Sequence, residues 1–261
     1  MSNPKQTMTS FANIFSPPLP NKPGIRFNWG NLQGAALPLA IAQAAKAEEA
    51  LVVLLTTDTQ NANRLERELR IFLPTENFPV LHFPDWETLP YDNFSPHQDI
   101  ISDRLLALSQ LSSLKKGILV VPITTMLHRI SPRTYVQAHS LVLKVGDEFI
   151  WEGMRRRFEQ GGYRYVSTVM AHGEFAIRGS IVDIFPMGQT SPVRIDLFDN
   201  EIDSLRLFDP ETQRSEEKIE SLTCLPAREF PLTDEAISLF RQNWRAHFSG
   251  DPSLCSIYQD I

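Results

Sequence analysis

Cysteine is scarce: Cys224 and Cys255 are the two in 261 residues, and they have neither CxxC spacing nor a histidine-rich neighbourhood. That excludes a disulfide framework and gives no zinc site, and it suits a reducing cytoplasm. Long apolar runs are missing as well. The longest aliphatic stretch, 51–55, falls far short of the roughly 20 residues a membrane span needs, so no membrane partner is expected. Positive charge is in deficit, with 25 Lys and Arg against 31 Asp and Glu and a net charge of −6. No overall basic field is available to hold nucleic acid, and DNA binding by this chain is expected to be weak. The six histidines, at 82, 97, 128, 139, 172 and 247, show no HxxxH or HxH spacing, and no GxSxG elbow occurs, which disfavours metal and triad hydrolysis chemistry. The first fifteen residues have no basic segment leading into an apolar one, so they read as a loose tail and not as a secretory signal.

What is present is ordinary globular composition, 42% hydrophobic and 21% charged, at a length that accommodates two domains and a sizeable core. Four prolines at 17, 18, 20 and 23 close a flexible tail over 1–21. From Gly24 the pattern alternates strand and helix: strand 25–29, Ala-rich helix 32–47, strand 51–56, a helix capped by Asp58 to about Phe72, strand 80–83, helix 99–114 and strand 117–121. In the last of these helices, Ile101, Leu105, Leu108 and Leu111 recur at spacings of four, three and three, an apolar stripe for core packing. The pattern then changes. A strand at 140–145, a helix capped by Asp147 and ended by Gly161-Gly162, and short alternating strands with turns at Met187-Gly188, Asp199-Asn200 and Asp209-Pro210 read as an α+β domain. Beyond Pro226, Thr233 caps a helix whose apolar face is Ala236, Ile237, Phe240 and Trp244.

Three segments bear on function. At the first strand-to-helix junction, Gly30-Asn31-Leu32-Gln33-Gly34-Ala35-Ala36-Leu37 keeps the glycines of a phosphate-binding turn but not the Lys and Ser/Thr that reach phosphates and magnesium. A tight packing turn is the plainer reading. The loop 83–97 gathers carboxylates and aromatics without a spacing that sets two carboxylates across a substrate, and reads as a hydrogen-bonded structural loop. Arg155-Arg156-Arg157 fans around its helix at about 100° per residue, a solvated surface.

The strand 193–198 is more telling. Val193, Ile195 and Leu197 share one face, which leaves Arg194, Asp196 and Phe198 together on the other. Arg178 joins that second face if its strand is a neighbour. A cluster of two arginines and a phenylalanine has the composition of an interface anchor, and equally of a half-buried Phe with stacked arginines. As an interface, the three side chains are expected to matter for binding and little for folding.

The runs Asp85-Trp86-Glu87-Thr88-Leu89-Pro90-Tyr91-Asp92, Ser95-Pro96-His97-Gln98-Asp99, Arg178-Gly179-Ser180-Ile181-Val182-Asp183-Ile184-Phe185-Pro186 and Asp199-Asn200-Glu201-Ile202-Asp203-Ser204-Leu205-Arg206 are specific. By them the chain, from about Gly24 to its end, resembles the N-terminal UvrB-homology module of the bacterial transcription-repair coupling factors. The resemblance implies an α/β fold: a degenerate P-loop (RecA/helicase-like) parallel-sheet domain over 22–138, an inserted α+β UvrA-binding domain over 139–226, and over 227–261 the start of a return segment. It also implies that Arg178, Arg194 and Phe198 contact the excision-repair ATPase UvrA, with no catalysis and no cofactor in this segment. ATP, magnesium, DNA and RNA polymerase would be engaged by parts of the family's proteins outside these residues, and an intramolecular contact with such a part would use the same surface. Two departures separate the chain from UvrB itself: Gly34-Ala35-Ala36-Leu37 stands where an intact phosphate loop would be, and only a short connection joins Tyr91 to Asp103 where UvrB inserts a DNA-gripping hairpin. The alternative is a UvrB-like helicase fragment with residual nucleotide binding.

Overall fold

The structure, a computed structural model, describes residues 8–11, 13–48, 50–73, 78–89, 92, 94–255 and 258. Residues 1–7 and 12 of the expected tail, and Pro90, Tyr91 and Asn93 of the aromatic loop, lie outside the described residues. The chain runs β1 (Met8–Phe11), β2 (Phe27–Gly30), α1 (Ala36–Ala47), β3 (Leu51–Thr56), α2 (Thr59–Phe72), β4 (Val80–His82), α3 (Gln98–Leu111), β5 (Gly117–Pro122) and the short α4 (Ile123–Met126). It continues through α5 (Arg133–Ala138), β6 (Leu141–Lys144), α6 (Trp151–Gln160), β7 (Arg164–Tyr165), β8 (Glu174–Arg178), β9 (Ile181–Ile184) and β10 (Val193–Phe198). It closes with β11 (Glu201–Phe208), β12 (Ser215–Ile219), β13 (Ser221–Cys224) and α7 (Asp234–His247). Among the described residues no helix is long and apolar enough to cross a membrane. The fold is mixed α/β, with a parallel sheet in one compact unit and a largely antiparallel sheet in another.

The first unit comprises Met1–Leu89 and Gln110–Arg129. Its three parallel strands are ordered β3-β5-β4, with Leu51 beside Gly117 and Val80 beside Ile118. All six residues of β5 are buried, which accounts for its continuous aliphatic sequence. Gly117 is required by close approach, since a Cβ there would lie 2.7 Å from the Pro79 carbonyl oxygen that accepts the Ile118 N–H. The small residues Ala42 and Ala45 of α1 and the leucines of α2 close one face of the sheet. Helix α2 starts as the sequence implies, with the Asp58 carboxylate accepting the Asn61 N–H at 2.8 Å. Helix α1 starts later than 32, because Gly34 takes a left-handed φ of 54° and the preceding residues form a turn. Strand β2 does not join the three-stranded sheet; it pairs in parallel with β1. A short strand thus stands at 8–11, where the sequence reads as loose tail. Its Thr and Phe favour extended backbone, and the Trp29 indole N–H donates to Pro18 O at 3.2 Å, holding the proline segment back against β2.

The second unit comprises Pro90–Ser109 and Ile130–Ile261. The boundary at 138/139 that the sequence pattern suggests is therefore not where the chain divides by its contacts, because most of α3 groups with the second unit. Leu105 is buried in that unit's core and Ile101 packs on it, while the same helix also buries Ser102 and Arg104. Both polar side chains are satisfied, Ser102 Oγ by the Gly188 N–H at 2.8 Å and Arg104 by Glu229. Six strands run in the order β12-β11-β10-β9-β8-β7, antiparallel except for β7 with β8, and β13 pairs with β6 in a separate two-stranded sheet. One face of the large sheet carries Phe175, Val182, Ile184, Val193, Ile195 and Leu205, packed with Phe149, Met154 and Phe158. Asp147 does not cap α6 as expected. Its Oδ2 accepts the Lys144 N–H at 2.8 Å in a turn, and Glu148, Phe149 and Ile150 intervene before the helix, with Phe149 drawn into the core. Thr233 does cap α7, accepting the Ala236 N–H at 3.3 Å. None of the residues of α7 is buried, and Phe240, Trp244 and Phe248 stack on one another along it.

Candidate protein-binding surface

The residues singled out in sequence lie on β8 and β10 of the second unit, with β9 between them. Gly179 and Ser180 form a two-residue hairpin between β8 and β9, with Gly179 at φ 62°. The turn sets Arg178 opposite Ile181 and Ala176 opposite Asp183. On the other side of β9, Asp183 faces Arg194 and Ile181 faces Asp196. A second hairpin, with Asp199 at φ 54°, returns β10 into β11 and pairs Phe198 with Glu201. Because β8 and β10 run in the same direction, both turns sit at one end of the sheet, joined by the Leu197 N–H donating to Ser180 O at 2.8 Å. The alternation expected for β10 holds: Val193 and Ile195 are buried in the core and Arg194, Asp196 and Phe198 lie on the opposite face.

The two arginines do not present free forks. Both hold one carboxylate, that of Asp183, whose side chain is 0% exposed. Arg194 Nε donates to Asp183 Oδ1 at 2.7 Å and its Nη2 to Oδ2 at 3.0 Å, a bidentate grip, while Arg178 Nη2 donates to Oδ2. The Asp183 hydrogen bonds hold the Arg194 guanidinium above its ordinary pKa, against the opposing effect of burial. Arg194 is further fixed by lying 4.9 Å above the Phe208 ring and donating to Ser215 Oγ, and its side chain is only 15% exposed. Arg178 is 47% exposed and keeps part of its guanidinium open to solvent. Phe198 stands apart, 73% exposed at the end of β10. Within reach of the same face are Asp196, which accepts from Ser204 Oγ at 2.8 Å, and Arg206, 3.5 Å from Asp196 and directly opposite Arg194 on β11.

Sequence reasoning passed over Asp183, the residue that organises the arginines. The signal was there, a lone carboxylate in the apolar run Ile181-Val182-Asp183-Ile184-Phe185, one hairpin away from Arg178. Arg206 was passed over too, and only the β10–β11 register reveals it.

The loop 83–97 is structural where it is described. The Asp85 carboxylate accepts from Thr124 Oγ1 at 2.6 Å, Thr125 Oγ1 at 3.1 Å and the Glu87 N–H at 3.0 Å, and Trp86 stacks on His128 at 4.5 Å. In the Arg triplet, Arg155 pairs with Glu159 and covers Tyr165, while Met154 and Phe158 point into the core. Among the described residues no three His, Cys, Asp or Glu side chains converge as metal ligands.

Burial raises the pKa of Asp85, but its hydroxyl and N–H donors outweigh this and hold it below its ordinary value. Glu174 behaves likewise: burial is outweighed by the Met170 N–H, Arg164 and the Ala171 N–H. A carboxylate depressed by folding contributes stability that is present above its unfolded pKa and is lost as pH falls through its folded pKa. The urea midpoint should therefore drop as pH is lowered from about 5 to about 3, and Glu174→Gln should flatten that drop at some cost in stability near pH 7. A wild-type and variant pair with parallel pH profiles would show that Glu174 contributes nothing to the slope.

Residues 141–230, which include the whole surface just described, match the UvrB interaction domain, so the second unit carries an interaction domain of that class. Over most of its length the chain is similar to transcription-repair-coupling factors: 45% identical over 243 residues to that of Escherichia coli K12, covering 93% of this chain and 21% of the relative. The Haemophilus influenzae Rd factor is 45% identical over 251 residues, covering 95% and 22%, and that of Staphylococcus aureus USA300 is 33% identical over 198 residues, covering 76% and 17%. The chain is thus similar to a UvrB-like segment of the transcription-repair-coupling factors, and it spans about a fifth of the length of the curated relatives it matches.

Proposed function

We propose that this chain is a recruiting module that binds UvrA through the β8–β11 end of its large sheet, bringing excision repair to stalled RNA polymerase in the bacterial cytoplasm. The observation that carries the reading is Phe198, a large apolar side chain left 73% exposed among charged neighbours inside a UvrB interaction domain. Arg178, on the same face, supplies a partly open fork pre-oriented by Asp183, so little side-chain freedom would be lost on binding. Mixing the chain with purified UvrA and following complex formation by size-exclusion chromatography should give a co-eluting species. Two proteins that elute separately at micromolar concentration would refute the reading.

Nucleotide chemistry has no part in this proposal. At the start of α1 the Ala36 N–H is already engaged by Gln33 O at 3.1 Å, and Pro38 in the first turn has no N–H to offer a phosphate. Calorimetry with magnesium-ATP is therefore expected to show no micromolar binding, and such binding would revive the helicase-fragment alternative. The ATP-driven motor, and the contacts with DNA and RNA polymerase, we assign to parts of the coupling factors beyond the segment matched here.

A further inference from the structure

A cavity of about 170 Å³ opens in the second unit between the C-terminal ends of α5 and α6 and the β6–β13 pair, away from the strands of the proposed UvrA surface. Its inner wall is apolar, formed by Phe158, Tyr163, Leu141 and Cys224. The Tyr163 hydroxyl is already engaged, donating to Leu225 O at 2.7 Å and accepting the Met187 N–H at 3.2 Å, so the ring is what it offers. Burial pushes the Cys224 thiol up to about 12, which keeps it neutral. The mouth is different in kind. Arg157 stands there without a carboxylate partner among the described residues, whereas Arg155 on the same helix is paired with Glu159. His139 also lines the cavity. Its Nδ1 donates to the Tyr135 carbonyl oxygen at 2.9 Å, so in the neutral ring Nε2 offers a ligand a lone pair and no N–H. The negative end of α6 is muted, because the carbonyls of Arg157, Phe158 and Glu159 accept N–H groups from Gly161, Tyr163 and Gly162.

A chamber of this size matches one six-membered ring; an engineered apolar cavity of about 150 Å³ takes up benzene. A cation at its opening adds the polar group that fixes orientation in a small-molecule site. We propose that this cavity binds a monocyclic aromatic carboxylate, its ring against Phe158, Tyr163 and Cys224 and its carboxylate held by Arg157.

Benzoate, and benzamide as its neutral isostere, are the probes. Titrated into the methyl-labelled chain, both should shift the Ala138 and Leu141 methyl resonances saturably at millimolar concentration or below. Arg157→Gln, at an exposed position, should weaken benzoate roughly tenfold, the usual effect of losing one charged hydrogen bond, and leave benzamide unchanged. Retained benzamide binding reports that the variant's cavity is intact. Ala138→Phe, at the rim, should exclude both probes while leaving the melting temperature near that of wild type. Shifts that never saturate, or an Arg157→Gln variant that binds benzoate as wild type does, would overturn the proposal.

Discussion

Replacing Arg104 by methionine should lower the stability of the second unit by about 3–5 kcal/mol, the usual cost of removing one partner from a buried ion pair. The side chain of Arg104 is 0% exposed and that of Glu229 6%, and the pair is bidentate, with Arg104 Nη2 donating to Glu229 Oε2 at 3.1 Å and Nε to Oε1. Glu229 is tied in further through its backbone, whose carbonyl accepts from Ser131 Oγ. The pair therefore links α3, the segment before α5 and the approach to α7 within one unit. Without the guanidinium, the buried Glu229 carboxylate loses the bidentate partner that offsets its desolvation. The double variant Arg104→Met, Glu229→Met removes both charges and should recover most of the loss, since the intact pair offsets its own desolvation poorly. Urea unfolding of the three proteins decides the matter. A single-variant loss under about 1 kcal/mol would mean that the site is wetter than its packing implies.

Arg104 also shows where reading the sequence stops. The 98–111 helix and its apolar stripe are legible from spacing, but the stripe says only that the helix packs and not on which sheet. What places most of α3 with the second unit is a contact to Glu229, 125 residues away, and one to Gly188. Local periodicity carries no information about either. The parallel strand at 117–122 was legible because buried parallel strands are continuously aliphatic; 51–56 is as aliphatic and was read as buried too, but Val53 and Leu55 are about half exposed. The short strand at 8–11 was not, since its pairing depends on backbone groups of Phe27–Gly30 and four residues give too little pattern to outweigh the prolines that follow.

The candidate surface divides in the same way. Parity along β10 was enough to set Arg194 and Phe198 off the core face. It could not show that β9 runs between Arg178 and Arg194, nor that Asp183 of β9 is fully buried under both. The expectation that all three side chains matter little for folding therefore fails on physical grounds for Arg194. An exposed fork waiting for a partner and a guanidinium neutralising a buried carboxylate look identical in sequence. Exposures of 15% and 47%, and a bidentate against a single contact to Asp183, tell Arg194 from Arg178.

From that distinction the three variants should separate into an ordered series. Phe198→Ala is expected to weaken UvrA binding by about 2 kcal/mol or more, roughly thirtyfold in dissociation constant, because it removes a large exposed apolar side chain from this face. Its effect on stability should stay within about 0.5 kcal/mol, as is usual for an exposed position. Arg178→Ala should weaken binding too, with a small stability cost, since Arg194 still grips both oxygens of Asp183. Arg194→Ala leaves Asp183 buried with Arg178 as its remaining ion-pair partner, and should cost roughly 2–3 kcal/mol in stability. Any binding loss in that variant is then to be read only at a temperature where circular dichroism shows it folded. Arg156→Ala, on the solvated side of α6, serves as the control and should alter neither quantity. Melting temperature and UvrA affinity, recorded for all four, separate the roles: Phe198 moves affinity alone, Arg178 chiefly affinity, and Arg194 stability first. If Phe198→Ala binds UvrA as wild type does, the exposed ring is not an anchor and the surface lies elsewhere on the domain. If Arg194→Ala melts with wild type, the Asp183 carboxylate does not need its bidentate partner, and the account of how these arginines are held is wrong.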